Sequence, residues 1–532
     1  MSKDNSSWVG TARSLMALAV VSALAACDET RPVGTVGHVK GFAGVVAADE
    51  PRAVLVARDV LSAGGTAADA AVSLYFTLAV TYPSTASLGG GGMCVVHDKT
   101  AKRTEVLDFI APPTAQPGET PTAVPANPRG FFALQAKYGK LRWDTLLAEP
   151  EKLARLGTTV SRALANDITR AAPLLARDPM ARRTFFRPDG SPLRESDQVQ
   201  QPELASVIGR LRNATGDFYT GNLARSVVES ARATGARLAI EELRDFKPQW
   251  RDSIRVPLGN EVAHFAPPPA VASTVAAQLV AGLAERWAGT PADERPHLMA
   301  EASARAMTAR SQWMAANGWS EDGPAALMAA GKIEALTAGY AADRHTPTEP
   351  VKGPVADAQA ATSFVVIDSY GSAVSCGLTT YGLFGSGRMV PGAGFFLAGQ
   401  PGRNGPPAVA PMLLVNPATN QVFMAAAASG GVTAPSALAW TVLASRETKT
   451  LDQALGQPRV HHNGTPDIAF VEKEPRAADA DSLVKRGHKV TAVDMPSRIN
   501  AVGCNGGRLE VTGCQAATDP RGFGLAELVG KK

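Results

Sequence analysis

The sequence predicts a layered α/β (α+β) fold, with helices packed around stacked sheets, and three observations predict it. Residues Val39 to Ala48 read as a Gly- and Val-bearing strand followed at once by two helical segments. The span from Lys137 to Trp313 is mostly helical in pattern, and Thr362 to Asp519 returns to short strands and turns. Strand, helix pair, helical middle and strands again leave sheets that need helical covers. With 532 residues, 45% apolar and 19% charged, the chain can bury a large core.

The elements follow in order. Pro51 to Leu61 has amphipathic spacing and is stopped by Gly64-Gly65. Ala67 to Tyr82 is apolar nearly all round, so it must be buried against a sheet. Leu88-Gly89-Gly90-Gly91-Gly92-Met93 is a glycine-rich turn into a strand at Cys94 to His97. No Gly-Lys-Ser/Thr follows those glycines, which excludes a phosphate-binding loop. Pro- and Gly-bearing joints such as Arg187-Pro188-Asp189-Gly190 and Ala266-Pro267-Pro268-Pro269 break the helical middle, and a long helical stretch lies near Pro435 to Glu447. The segment Thr346 to Ala361, which carries Pro, Gly and Ala, reads as the linker before the second strand block. No internal repeat is present.

Lys3 and Arg13 precede an apolar run from Leu15 to Ala23 that ends in Leu24-Ala25-Ala26-Cys27. This is the layout of an export signal, too short to span a membrane. The small residues before Cys27 resemble a bacterial lipobox, so the mature chain is expected to begin at a lipidated Cys27; ordinary signal cleavage beside an incidental cysteine is the alternative. Asp28 resembles an inner-membrane retention signal, which places the expected product on the periplasmic side of the bacterial cell envelope. The 53 basic and 49 acidic residues give a net charge of +4, too balanced for a nucleic-acid binder. A small-molecule partner is expected.

Of the remaining cysteines, Cys504 and Cys514 flank a turn-bearing segment that could close as a hairpin, with a disulfide permitted after export. Cys94 and Cys376 sit in apolar strand-like runs and read as small buried hydrophobes. Neither Cys-x-x-Cys nor Cys/His spacing occurs, and adjacent His461 and His462 do not present both rings to one metal. No metal site and no cofactor are expected.

The motifs Gly64-Gly65-Thr66-Ala67-Ala68-Asp69-Ala70-Ala71-Val72, Gln201-Pro202-Glu203-Leu204-Ala205, Phe218-Tyr219-Thr220-Gly221, His297-Leu298-Met299-Ala300-Glu301-Ala302, Ser429-Gly430-Gly431, Pro458-Arg459-Val460-His461-His462 and Asp519-Pro520-Arg521-Gly522 run in order through the chain. With Ala360 to Asp368, they resemble the γ-glutamyltranspeptidase (glutathione hydrolase) family. That family cuts itself before a threonine and uses the threonine as nucleophile. The resemblance implies an αββα N-terminal-nucleophile hydrolase sandwich of two stacked, mainly antiparallel sheets. After the signal segment 1–27, it implies a large-subunit-like region 28–361 and a small-subunit-like region 362–532, which form a heterodimer if the chain is cut.

In that chemistry a hydroxyl attacks an amide carbon, its own α-amine acts as base, and backbone N–H groups hold the oxyanion. Gly430 and Gly431 match the oxyanion glycines. The nucleophile position, counted from Gly371, holds Ala361, which leaves Thr362 as nucleophile candidate and Ser363 as the weaker one. A one-residue shift turns a strand side chain to the opposite face, so Thr362 can replace the missing hydroxyl only through a bulge or a changed register. The pocket positions implied by the resemblance are Ile110, Thr379, Tyr381, Arg403 and Ala408, the last beside Pro407. Ile110, Tyr381, Pro407 and Ala408 remove an arginine fork, an asparagine and two serines, and Arg403 replaces an acid. Two functions stay open: an exported amidohydrolase or acyltransferase with an altered acyl pocket, acting on a small amide or γ-glutamyl-like substrate, or an uncleaved, catalytically inactive binding protein of the same fold.

Overall fold

Helix α1, Pro51–Ser62, starts where Glu50 accepts the Ala53 N–H at 2.9 Å and Pro51 fills the first turn. Helix α2, Ala67–Thr81, opens with a reciprocal capping box between Thr66 and Asp69, and every residue in it is buried. Both observed spans lie within one residue of the expected ones. The structure, a computed structural model, describes Val39 and residues 41–351, 360–403, 405–473 and 480–530. Cys27, Asp28 and residues 352–359 of the expected linker lie outside the described residues. No helix among the described residues is long and apolar enough to cross a membrane.

The first sheet takes strands β1 (Phe42–Ala48), β2 (Gly91–Asp98), β3 (Arg103–Phe109) and β4 (Gln249–Arg251). The second takes β5 (Ile254–Leu258) and β6 (Glu261–Phe265). From the C-terminal third, β7 (Ala361–Asp368) and β8 (Ala373–Thr379) join the first sheet, and β9 (Val409–Asn416) and β10 (Gln421–Ser429) join the second. Strands β11 (Val460–His462), β12 (Ala469–Glu472) and β13 (Val490–Val493) form a small separate sheet. Strands β14 (Arg498–Cys504) and β15 (Cys514–Thr518) extend the second sheet, and β16 (Leu525–Gly530) closes the edge of the first. The orders are β16-β1-β7-β8-β2-β3-β4 and β15-β14-β10-β9-β6-β5. All pairings within these two sheets are antiparallel.

Side-chain alternation sorts the strands into layers. Phe364, Val366 and Leu378 face the helical cover with Tyr75, Phe76 and Phe131. Val365 and Ile367 point the other way, into an apolar layer shared with Val409, Leu413 and Ala425 of the second sheet. The far side of the second sheet, through Met412 and Met424, packs on helices α3 (Val271–Trp287), α4 (Arg295–Trp313) and α5 (Ala434–Ala444). This is the αββα sandwich. At Gly377 the two sheets touch: a Cβ there would lie 2.5 Å from Val409 Cβ.

Two sequence expectations need correction. The middle of the chain is not helical throughout, because residues 249–265 form β4, β5 and β6, three short strands in which Arg251, Arg255 and Pro257 blur the period-two pattern. Cys94 and Cys376 are not free hydrophobes. They are directly opposed on β2 and β8 and joined by a disulfide across 282 residues of sequence. Cys504 and Cys514, paired across β14 and β15, are also joined by a disulfide.

The end of β7 is tied to α2 by Asp368. Its carboxylate accepts the Ala67 N–H at 2.7 Å, Tyr370 N–H at 2.9 Å and Ser372 N–H at 3.0 Å. Asp368→Ala strands these amides and is expected to cost about 2–4 kcal/mol, read by chemical denaturation.

Candidate functional site

Strand β7 begins at Ala361, directly opposite Thr379 of β8, and the pairing runs to Ile367 without a shift in register. No bulge therefore carries Thr362 onto the face of Ala361. Ala361 faces the layer between the sheets with Ile110 and Tyr381, while Thr362 shares the parity of Phe364. Thr362 and Ser363 are fully buried.

The Thr362 hydroxyl is nevertheless held by an acid. Its Oγ1 donates to Asp49 Oδ2 at 2.8 Å, and the Ser363 N–H donates to the same oxygen at 3.1 Å. Asn500 Nδ2 donates to the other oxygen, Asp49 Oδ1, at 2.8 Å, and to the Ser363 carbonyl at 2.9 Å. The Ser363 hydroxyl is spent on the Ala427 carbonyl at 3.1 Å, between the sheets. Burial pushes the Asp49 carboxyl above its ordinary value, and the hydrogen bonds from Asn500, Thr362 and Ser363 offset this only in part. A hydroxyl bound to a partly desolvated carboxylate of raised basicity is the arrangement that general-base activation of an alcohol requires.

Asp49 and Ala361 line one cleft of about 90 Å³, together with Ser429, Gly430, Arg498 and Asp167. Gly430 has φ +99°, and a Cβ on it would sit 2.4 Å from the Pro496 carbonyl oxygen, so only glycine fits this turn. Gly431 follows with φ +86°. Asp167 accepts a hydrogen bond from Ser84 Oγ at 2.7 Å, and burial raises its carboxyl as well.

The expected pocket positions separate into two groups. Ile110 and Tyr381 come together with Ala361 in the apolar layer, and the Tyr381 hydroxyl donates to the Ala111 carbonyl at 3.2 Å. Thr379 Oγ1 donates to the Ala360 carbonyl at 2.8 Å, and Ala408 is fully buried beside Val409, which opposes Ser429. Arg403 stands apart on an exposed turn. Arg251 Nη1 pairs with Asp108 at 2.9 Å, two residues before Ile110. Ile110, Thr379, Tyr381 and Ala408 are not among the residues lining the cleft, whose wall carries the charged Asp49, Asp167, Arg170 and Arg498.

Sequence reasoning did not find Asp49, Asn500, Asp167 or Arg498. For Asn500 the signal was present: one amide inside the apolar strand run Ile499-Asn500-Ala501-Val502. Asp49, just ahead of the helix-starting Glu50-Pro51, reads from sequence as part of a helix start.

The model of the gamma-glutamyltranspeptidase family matches residues 53–400 and 398–529. A glutathione hydrolase proenzyme of Pseudomonas aeruginosa is 29% identical over 377 residues, 66% of this chain and 67% of that protein. The acylase ACY 1 proenzyme of a Pseudomonas species is 26% identical over 508 residues, 85% of this chain and 88% of that protein. Among solved structures, the cephalosporin acylase of Bacillus halodurans superposes with a TM-score of 0.76 at 21% identity, covering 94% of this chain and 98% of its own.

Proposed function

Because the chain belongs to the gamma-glutamyltranspeptidase family, we propose that it is an exported, lipid-anchored amidohydrolase or acyltransferase that frees Thr362 by cutting itself before that residue. Family membership marks it as a hydrolase or transferase of amide bonds. The observation that carries the finer reading is the 2.8 Å bond between Thr362 Oγ1 and Asp49, a carboxylate on the cleft wall. Thr362 Oγ1 attacks the carbonyl carbon of Ala361 while Asp49 takes the hydroxyl proton. The Ala361–Thr362 C–N bond then breaks, the departing amine takes that proton back, and water hydrolyses the resulting ester to an Ala361 carboxylate and a free Thr362. The attack needs only the hydroxyl of Thr362 and its neighbouring carbonyl, so the face on which Ala361 lies does not matter for the cut.

Cutting also bears on access. A cleft of about 90 Å³ is well below the ~300–1,000 Å³ of ordinary ligand sites. Ala361 forms part of its wall until the cut frees that end of the chain. The unshifted register leaves Thr362 on the face opposite Ala361, so turnover by Thr362, with its α-amine and Asp49 as bases and the Gly430 and Gly431 amides as oxyanion donors, requires the new N-terminus to turn toward the cleft after the cut. The apolar residues Ile110, Tyr381 and Ala408, where the resemblance puts glutamyl-binding side chains, favour an acyl group with little charge, although they lie outside the cleft wall, which itself carries Arg170 and Arg498. The lipid anchor is assigned to Cys27, with Asp28 favouring the inner membrane on the periplasmic side.

A second reading, an uncleaved binding protein, is favoured by Ala361 itself, whose side chain faces the cleft where the resemblance puts the nucleophile. A denaturing gel with intact-mass analysis decides between them. Cys94 precedes the cut and Cys376 follows it, so their disulfide keeps the two fragments joined. We expect one band without reductant, two with it, a new N-terminus at Thr362, and a single band for Thr362→Ala under both conditions. One uncut chain under reduction after prolonged incubation leaves the binding-protein reading in place.

A further inference from the structure

Away from the cleft, four imidazoles gather where α4 meets the small sheet, and this group has no part in the chemistry above. His345 lies in the segment after α4, His462 ends β11, and His488 precedes β13. One nitrogen from each of these three lies within 4.8 Å of the others. The Asp467 carboxylate sits 3.0 Å from His345 Nε2 and 3.2 Å from His462 Nε2.

The hydrogen bonds fix the tautomers. His297 Nε2 must donate to the Ala341 carbonyl at 2.9 Å, which leaves His297 Nδ1 as an acceptor. The proton in its 2.8 Å contact with His488 therefore belongs to His488 Nε2. His488 Nδ1 is then a bare lone pair, buried and without a hydrogen-bond partner. His345 shows the complementary pattern: its Nδ1 faces Glu301 Oε1 at 2.5 Å, leaving Nε2 toward Asp467. A ring nitrogen anchored by a polar group while the other faces a common point is how histidine ligands are oriented around a metal.

We propose that His345, His462 and His488, with Asp467 as the anionic fourth ligand, bind one divalent transition-metal ion of the zinc class. Imidazole and carboxylate donors suit that class, and donors at ~2.0–2.2 Å around a tetrahedral ion stand about 3.3 Å apart. The 3.0 and 3.2 Å contacts to Asp467 are already near that separation. The ion takes the place of the proton between His345 Nε2 and Asp467. His462 shifts its own proton from Nε2 to Nδ1 and gives up the Gly464 N–H bond of 3.0 Å. His345 precedes Thr362, whereas His462 and His488 follow it, so the ion ties the two regions of the chain together.

The test uses the full-length protein exposed to excess zinc, desalted and measured for metal by mass spectrometry, with cobalt(II) as the optical probe. About one zinc per folded chain is expected, with tetrahedral cobalt absorption in the visible. His345→Ala and His488→Ala should each weaken binding by about tenfold or more. His461→Ala should keep the ion, because that ring is engaged by Ser436 and Asn463 instead. A folded wild-type chain that retains no zinc overturns the site, as does zinc held equally well by the His345→Ala and His488→Ala chains. Should either variant fail to fold, wild-type stoichiometry and the cobalt spectrum decide.

Discussion

Asp49→Asn is expected to slow self-cleavage and amide turnover by about 10²- to 10⁴-fold, the usual worth of a positioned general base. The amide is nearly isosteric with the acid but cannot take the proton from Thr362 Oγ1, 2.8 Å away. The wild-type pH profile carries the same information with a definite sign. The base is the carboxylate, and burial favours the neutral acid, so the midpoint lies above the ordinary value of 3.8. The rate should rise as pH climbs through that shifted midpoint and fall away below it, and Asp49→Asn should lose this limb. Cleavage timed by mass spectrometry across pH measures both. Equal rates in the two proteins, or a wild-type rate that ignores acid pH, would remove Asp49 from the mechanism.

Asn500 belongs to the same unit. By donating to Asp49 Oδ1 and to the Ser363 carbonyl, it ties the base to β7. Thr362 and Asn500 lie near the starts of β7 and β14, one in each sheet, and Asp49 directly follows β1 of the first sheet. The pairing of β1 with β7, Ala48 opposite Phe364, brings Asp49 beside Thr362, and the stacking of the sheets adds Asn500, so each alone in the sequence is an unremarkable polar residue.

That is also the limit of what sequence can show here. The bounds of α1 and α2 are legible because their capping and breaking residues are local. The opposite faces of Ala361 and Thr362 follow from the two-residue period of a strand, and the unshifted pairing with β8 keeps it. Strands β4 to β6 are too short for the period to emerge from their charged and Pro-bearing residues. The Cys94–Cys376 bond joins residues 282 apart that become neighbours only when β8 pairs with β2. The histidines illustrate the same point. Adjacent His461 and His462 diverge, but His462 meets His345 and His488 from other segments.

A larger effect on stability is expected from Arg459→Met than from any surface substitution. Arg459 and Asp519 are 5% and 1% exposed and pair at 2.5 Å, and Arg459 Nη1 also donates to the Ser497 carbonyl at 3.0 Å. Removing one partner leaves a buried charge, a loss of about 3–5 kcal/mol. Arg521, 3.2 Å from the other Asp519 oxygen, keeps the loss toward the lower end. At ~2.1 cal/mol/K of unfolding entropy per residue, that corresponds to a Tm lowered by about 3–4 °C. Burial alone would raise the Asp519 carboxyl, but Arg459 and Arg521 hold it below its ordinary value. This stabilisation is therefore present above pH ~3.8 and is lost as pH falls through the lower folded value. The deficit of Arg459→Met should be largest near neutral pH and shrink on acidification, and Asp519→Asn combined with it should cost less than the sum of the two single changes. The consequence reaches the cleft, because Arg459 fixes Ser497, whose neighbours are the Pro496 carbonyl that crowds Gly430 and the Arg498 that lines the cleft wall. Denaturation followed at several pH values, alongside the self-cleavage rate of the folded variant, separates the lost ion pair from a displaced Gly430 turn: an intact rate with lowered stability confines Arg459 to the fold, and a lowered rate in folded protein shows that it also positions the turn.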